Sequence, residues 1–242
     1  MTDPRRFDEA IRSFWTVRES QAAKQVASGK LDAGTRGAVT GGAHLDAIAQ
    51  LLEDVFVEAG FARSSIRRKS GIELPGFYRP TKSWDLVVVE NGVLIAAIEF
   101  KSQVGPSFGN NFNNRTEEAL GNAVDVWRAY EEGTFGSVRP WLGYVFLLEE
   151  ASKSTMEVRL AKAIFPVEPI FRNTSYLDRY QILCQRIVRE RLYDAACFVT
   201  SSPDPSVPVR QPSAELGFDN FVAAIAGRAA YIKALGRAAG PR

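Results

Sequence analysis

At 242 residues the chain is long enough to bury one sizeable core, and 45% hydrophobic with 24% charged residues is the balance of a globular domain, not of a disordered chain. A net charge of +2 argues against a uniformly basic nucleic-acid binder, so any DNA-facing surface must be local. Two cysteines are too few for a disulfide framework, no apolar run reaches membrane-spanning length, and the N-terminus lacks a signal-peptide core; the expectation is a cytoplasmic protein with no membrane partner.

Residues 5–27 carry Phe7, Ile11, Phe14, Trp15 and Val17 at helical spacing. Ser28 to Gly42 holds five glycines and reads as a loop, either a plain surface linker or, through Lys30 and Arg36, a wrap for a phosphate backbone. The single histidine, His44, follows at the start of a helix, where a helix-N-terminal or solvent-facing role is expected; one imidazole argues against a multi-histidine metal centre. Residues 44–59 form an amphipathic helix with Leu45, Ile48, Leu52, Val55, Phe56 and Ala59 in one stripe and Glu53 at its border. Arg63, Arg67, Arg68 and Lys69 then precede a Pro- and Gly-containing stretch, 72–82, expected as a bent edge strand or loop. Those cations are either phosphate contacts or a solvated charged loop.

Residues 84–101 read as a β-hairpin: two apolar, β-branched runs joined at Asn91-Gly92, each covered on both faces. Asp85 at the mouth of the first run and Glu99 and Lys101 at the end of the second are out of place there, because a buried carboxylate is costly unless paired or metal-bound. They are either a charged strand end or a hydrolytic metal site, with two carboxylates and a backbone carbonyl as hard ligands for Mg²⁺ and Lys101 acting on water or on charge at phosphorus. Register decides between them. A regular two-residue hairpin sets Asp85 opposite Ile98, on the wrong face, and excludes the site. The predicted solution is a three-residue loop, Glu90-Asn91-Gly92 with a bulge at Gly92, or an equivalent distortion of the first strand near Asp85.

Ser102 to Arg115 is rich in Gly, Ser and Asn and is predicted as a loop, followed by a helix over 116–131 that Gly133 stops. Asn114 and Glu117 match a capping box there, and Glu117 and Glu118 suit the helix dipole. Residues 141–148 are an apolar strand expected to pair in parallel across that helix. A Pro-broken stretch, 149–174, leads to a helix capped by Ser175 and running to Leu192. A buried strand over 195–200, a Pro-rich loop and a helix over 215–236 close the chain. Cys184 and Cys197 lie in apolar contexts, as buried free thiols do.

Asp, a hairpin-length gap and Glu-x-Lys form the PD-(D/E)xK nuclease signature, which fixes only three residues. The longer run is more specific: Lys82-Ser83-Trp84-Asp85-Leu86-Val87-Val88, then Ala97 to Arg115, Glu117-Glu118-Ala119 and Asp125-Val126-Trp127. It resembles the XhoI-type family of type II restriction endonucleases, with Trp84 where the superfamily often has Pro. The resemblance implies an α/β restriction-endonuclease-like core, a central mixed β-sheet flanked by helices, within one domain spanning 1–242: an N-terminal helix and loop to 43, a catalytic core over about 44–200 and a C-terminal loop and helix. It implies Mg²⁺ held by Asp85, Glu99 and the Phe100 carbonyl, with Lys101 positioning or deprotonating the attacking water. It also implies an acidic residue contributed by the preceding helix, Glu53 or failing that Asp46. Asn110, Asn111, Asn113, Asn114, Arg115 and Lys82 are the candidate DNA contacts, since Asn can read adenine and Arg guanine. The implied activity is Mg²⁺-dependent cleavage of double-stranded DNA at the palindrome CTCGAG with 5′ overhangs. A homodimer would match the palindrome's symmetry, and a cognate DNA methyltransferase would be the partner. A structure-specific or repair nuclease on the same fold, or a non-catalytic DNA-binding module, remains the alternative.

Overall fold

The computed structural model describes residues 4–27 and 43–238; the predicted glycine-rich loop over 28–42, with Lys30 and Arg36, lies outside the described residues. Helix α1 (Pro4–Ala27) buries Phe7, Ile11, Phe14 and Trp15, and α2 (Asp46–Glu58) buries Ile48, Leu52, Val55 and Phe56. Strands β1 (Ile66–Arg67), β2 (Glu73–Pro75), β3 (Thr81–Ser83), β4 (Leu86–Glu90) and β5 (Val93–Gln103) follow. Then come α3 (Phe108–Glu131), β6 (Trp141–Glu149), a single turn α4 (Ser152–Thr155), α5 (Tyr176–Arg189), β7 (Ala195–Ser201) and α6 (Phe218–Ala238).

Five strands form one mixed sheet in the order β1-β4-β5-β6-β7. Its β1–β4 and β4–β5 pairs are antiparallel, and its β5–β6 and β6–β7 pairs are parallel. The near-continuous apolar runs of β4 to β7 follow from burial on both faces. Leu86, Val88, Ile98 and Phe100 pack with α1, α2 and α6; Val87, Ala97, Tyr144 and Phe146 pack with α3 and α5. The result is an α/β fold of restriction-endonuclease type.

Several expectations are corrected. Helix α3 begins at Phe108, eight residues before the predicted start, so Asn114 is interior to it and makes no cap with Glu117. The Asn and Gly residues of this turn are weak helix formers, but Phe108 and Phe112 pack on Tyr176 and Tyr180, with ring centroids 6.1 and 5.1 Å apart respectively. Tertiary contact overrides propensity. His44 is buried, not solvent-facing: it sits edge-on to Phe14, and burial, aided by the Arg18 charge, lowers its pKa to about 4. Both cysteines are buried free thiols, their pKa values pushed up by burial.

Residues 72–83 do not form one bent strand. Strands β2 and β3 pair as a separate ribbon, with Leu74 opposite Lys82. Its tip is fastened to α3 by Asp125, which is 2% exposed. The Phe77 and Tyr78 amides each donate to Asp125 Oδ1 at 2.8 Å, Arg79 Nε donates to Oδ2 at 2.7 Å, and Arg79 Nη2 donates to Asn122 Oδ1 at 2.8 Å. These donors hold the Asp125 carboxyl below the usual range even though burial opposes its charge. Asp125→Ala leaves buried donors without an acceptor and should cost about 2–3 kcal/mol. Thermal unfolding should show a Tm about 4–12 °C lower, and Asp125→Asn should lose less.

Candidate active site

The turn joining β4 to β5 is the two-residue Asn91-Gly92, with φ of 51° and 77°, both in the left-handed region that a type I′ turn needs. The predicted three-residue loop is therefore absent. Instead the register shifts by one within the ladder: Glu90 pairs Val93 and Val89 pairs Leu94, but Val88 pairs Ala96 and Leu86 pairs Ile98. Ile95 is the extra residue, a bulge in the second strand and not in the first, and it shares the α1/α2/α6 side with its neighbour Ala96. One residue past the Leu86–Ile98 pair, the shifted register sets Asp85 opposite Glu99, on the α3 face with Lys101.

On that face the charges form a connected chain. The Phe100 amide donates to Asp85 Oδ2 at 2.7 Å, fixing the Asp85 carboxylate against β5. Glu99, 2% exposed, accepts from Lys101 Nζ through Oε1 and from Lys82 Nζ through Oε2, each at 2.5 Å. Lys82 arrives from β3, stands 4.4 Å over the Trp84 ring and also donates to the Ser83 carbonyl. Lys101 lies 3.5 Å from Glu118 Oε2, which Arg115 Nη1 holds at 2.7 Å.

Burial, and after it the Glu99 charge, raise the Asp85 pKa to about 6, against the Phe100 amide and the two lysines. Burial opposes the Lys101 charge, but Glu99, Glu118 and Asp85 outweigh it and hold the ammonium above the ordinary lysine range. Burial opposes ionisation of Glu118 as well, and Arg115 overcomes it, so this carboxyl is lowered.

The structure thus brings together Asp85, Glu99, the Phe100 backbone, Lys101 and Lys82, with Arg115 one step away through Glu118. Asn110, Asn113 and Asn114 are exposed on the first turns of α3 and Asn111 is half-buried. Glu53 is not brought to this cluster. Helix α2 covers the opposite face of the sheet, where Glu53 pairs with Arg63 at 2.5 Å and Arg68 at 2.7 Å, while Asp46 pairs with Lys69 at 3.1 Å. Arg63, Arg68 and Lys69 are therefore occupied by acidic side chains of α2. Sequence reasoning assigned Glu118 only to the helix dipole; its i, i+3 spacing from Arg115 was the available signal.

Among the described residues no group of three or more His, Cys, Asp and Glu side chains surrounds one point. Asp85 and Glu99 are two mutually repelling carboxylates, and hard oxygen donors of this kind suit a hard divalent cation. The residues present fit such an ion.

A raised carboxyl pKa has a defined consequence for the metal-free protein. Asp85 is favoured in its protonated form on folding, so this contribution is complete below about pH 4 and is lost as pH rises through about 6. Metal-free protein should lose roughly 2 kcal/mol of stability across that interval, and Asp85→Asn should remove the dependence. Denaturant unfolding at stepped pH reads both.

The profile described as Restriction endonuclease XhoI matches residues 24–209. The type II restriction enzyme BstVI of Geobacillus stearothermophilus is 46% identical over 181 residues, covering 72% of this chain and 80% of its own length. The type II restriction enzyme XhoI of Xanthomonas vasicola is 41% identical over 181 residues, covering 74% and 72%, respectively. The type II restriction enzyme AbrI of Azospirillum brasilense is 49% identical over 152 residues, covering 62% and 68%. No solved protein structure shows significant similarity. With a paired-carboxylate and lysine site on an α/β core and a match across most of its length, this chain belongs to the XhoI family of type II restriction endonucleases, enzymes that cut DNA at specific sites.

Proposed function

We propose that the protein cleaves both strands of DNA at the palindrome CTCGAG, after the first C, in a reaction that needs Mg²⁺. The observation that carries this reading is the bulge at Ile95, which turns Asp85 to the face of Glu99 and Lys101 despite a two-residue turn. Asp85, Glu99 and the Phe100 carbonyl are the groups that would hold the ion. Its chemistry, when bound, is neutralisation of the scissile phosphate and acidification of a water.

The protein's own groups supply the remainder. Lys101 is held as an ammonium by Glu99 and Glu118, so it acts as a cation that orients the attacking water and stabilises charge at phosphorus. The water oxygen bonds to phosphorus as the bond to the 3′ oxygen breaks, leaving 5′-phosphate and 3′-hydroxyl ends. The Lys82 ammonium, on the flank of Glu99, offers a second charge to the phosphate. Arg115 and the exposed Asn110, Asn113 and Asn114 lie along the helix that borders the site, and together with Asn111 they would supply DNA contacts.

The palindrome calls for a two-fold symmetric homodimer with one site per strand, and a cytoplasmic restriction system requires a DNA methyltransferase to protect the host.

Phage DNA digested with Mg²⁺ should give discrete fragments whose sequenced ends carry TCGA overhangs. Asp85→Ala and Lys101→Met should each lose at least 10²–10³-fold in rate, on the order of the loss of one transition-state electrostatic group. A smear of unrelated ends would discard the site-specific reading, and cutting governed by supercoiling or branch structure would point to a repair nuclease. Equal absence of cutting in wild type and variants would leave a DNA-binding module.

A further inference from the structure

The sheet edge at which the catalytic strand ends carries a long segment that the site does not use. Strands β5 and β6 are parallel and Gln103 pairs Leu148, so both strands finish at one edge, from which α3 also departs. After β6 the chain passes through α4 and then runs from Met156 to Glu168 as neither helix nor strand. Connections of that length are uncommon in a compact domain, and those that occur are as a rule functional. Its base is fastened. The Val158 amide donates to the Thr174 carbonyl at 2.9 Å, Arg179 Nη2 donates to the Val158 carbonyl at 3.1 Å, and Arg186 Nη2 holds Glu168 Oε1 at 2.6 Å. Beyond those ties the tip stands in solvent, with Ile164 97% and Phe165 81% exposed. Two adjacent large apolar side chains on an anchored base mark an interaction site.

The charges around the tip select the partner. Lys153, Arg159, Lys162 and Arg172 are exposed and have no ion-pair partner among the described residues. Of the two carboxylates between Lys153 and Arg172, Glu168 is already taken by Arg186, which leaves only Glu157. In a chain whose net charge is +2, this is a local positive surplus, and it suits a phosphate backbone. Pairing the face with itself would instead set like charges together. Lys153 also borders, with Tyr176 and Asn110, a groove of about 350 Å³. That groove joins the base of the segment to the first turn of α3, the helix that continues to Arg115 and Glu118 beside Lys101. Cations around the apolar tip Ile164-Phe165-Pro166 match the way proteins neutralise phosphates while pressing a hydrophobic wedge against base steps.

We infer that residues 156–172 form an arm that grips double-stranded DNA outside the catalytic cluster, with Arg159 and Lys162 on phosphates and Ile164-Phe165 pressed against the bases. The inference rests on the reading of the protein as a DNA-cutting enzyme and adds to it a contact set beyond α3.

Fluorescence anisotropy tests the arm on a labelled CTCGAG duplex and on a duplex without that site. The titrations run over a salt series with Mg²⁺, in an Asp85→Ala background that leaves the duplex intact. That parent is compared with Arg159→Ala/Lys162→Ala and with Phe165→Ala. The double variant should bind both duplexes about tenfold or more weakly, and its slope of log affinity against log salt should be smaller by about 2. Phe165→Ala should also lose about tenfold on both duplexes with the slope unchanged, because contact with bases releases no counterions. All three positions are exposed, so unfolding transitions and sedimentation mass should match the parent. A parent that binds neither duplex, unchanged constants in either variant, or an unchanged slope in the double variant would each overturn the arm. A fall in mass would assign the tip to a second copy and overturn it as well. Digests with the same substitutions in the wild-type chain separate the two readings. Fixed fragments with unchanged dissociation constants would remove the arm and keep the nuclease, whereas arm-dependent binding with no cutting by the wild-type chain would keep the arm and remove the nuclease.

Discussion

One inserted residue decides which charged side chains of this hairpin share a face. A type I′ turn at Asn91-Gly92 fixes the hairpin in a register that points Asp85 away from Glu99, because side chains alternate faces with a period of two. Ile95 breaks that period in β5, and every residue beyond it changes face relative to β4. The bulge does not disturb the core, since Ile95 and Ala96 are both buried on the α1/α2/α6 side. A local backbone irregularity thus converts an ordinary hydrophobic hairpin into one with two carboxylates and a lysine on the same face.

Those charges are tolerated because none is isolated. Glu99 is nearly inaccessible yet carries an ammonium on each oxygen, and Asp85 has a backbone amide as well as two lysines nearby. Removing one member of such a group leaves another buried and uncompensated, which is why paired buried charges behave as a unit. The pairing also sets the charge state of Lys101. Burial opposes its charge, but Glu99, Glu118 and Asp85 outweigh burial and hold the ammonium above the ordinary lysine range.

Much of the architecture was legible because its signals are local. The apolar runs of β4 to β7, the parallel pairing across a helix, the Ser175 cap and the stop at Gly133 follow from periodicity and capping chemistry. The start of α3 was not legible, since Gly109 and four asparagines read as a loop until Phe108 and Phe112 are seen against Tyr176 and Tyr180. The bulge was foreseen as a necessity and misplaced in detail: the requirement that Asp85 and Glu99 share a face is readable, but Ile95 among consecutive aliphatic residues carries no mark. Glu53 looked suited to the site from its position on the border of a helix stripe. Which face of the sheet that helix covers is a matter of topology, and Arg63 and Arg68 claim it there.

Helix α3 is the element through which the parts of the site depend on one another. Its first half contributes Arg115 and Glu118, the latter in reach of Lys101; its middle contributes Asn122 and Asp125, which anchor the ribbon. The far strand of that ribbon carries Lys82 to Glu99. A displacement of α3 along its axis would therefore move Glu118 and, through the ribbon, Lys82 in the same sense, altering the charge around Glu99 from both flanks at once. Its buried face, with Ala119, Ala123, Val126 and Ala129, is made of small and branched side chains that seat the helix close to the sheet and resist such a shift. Close packing of small residues on one face of this helix is what keeps the charges on its neighbours at a fixed distance.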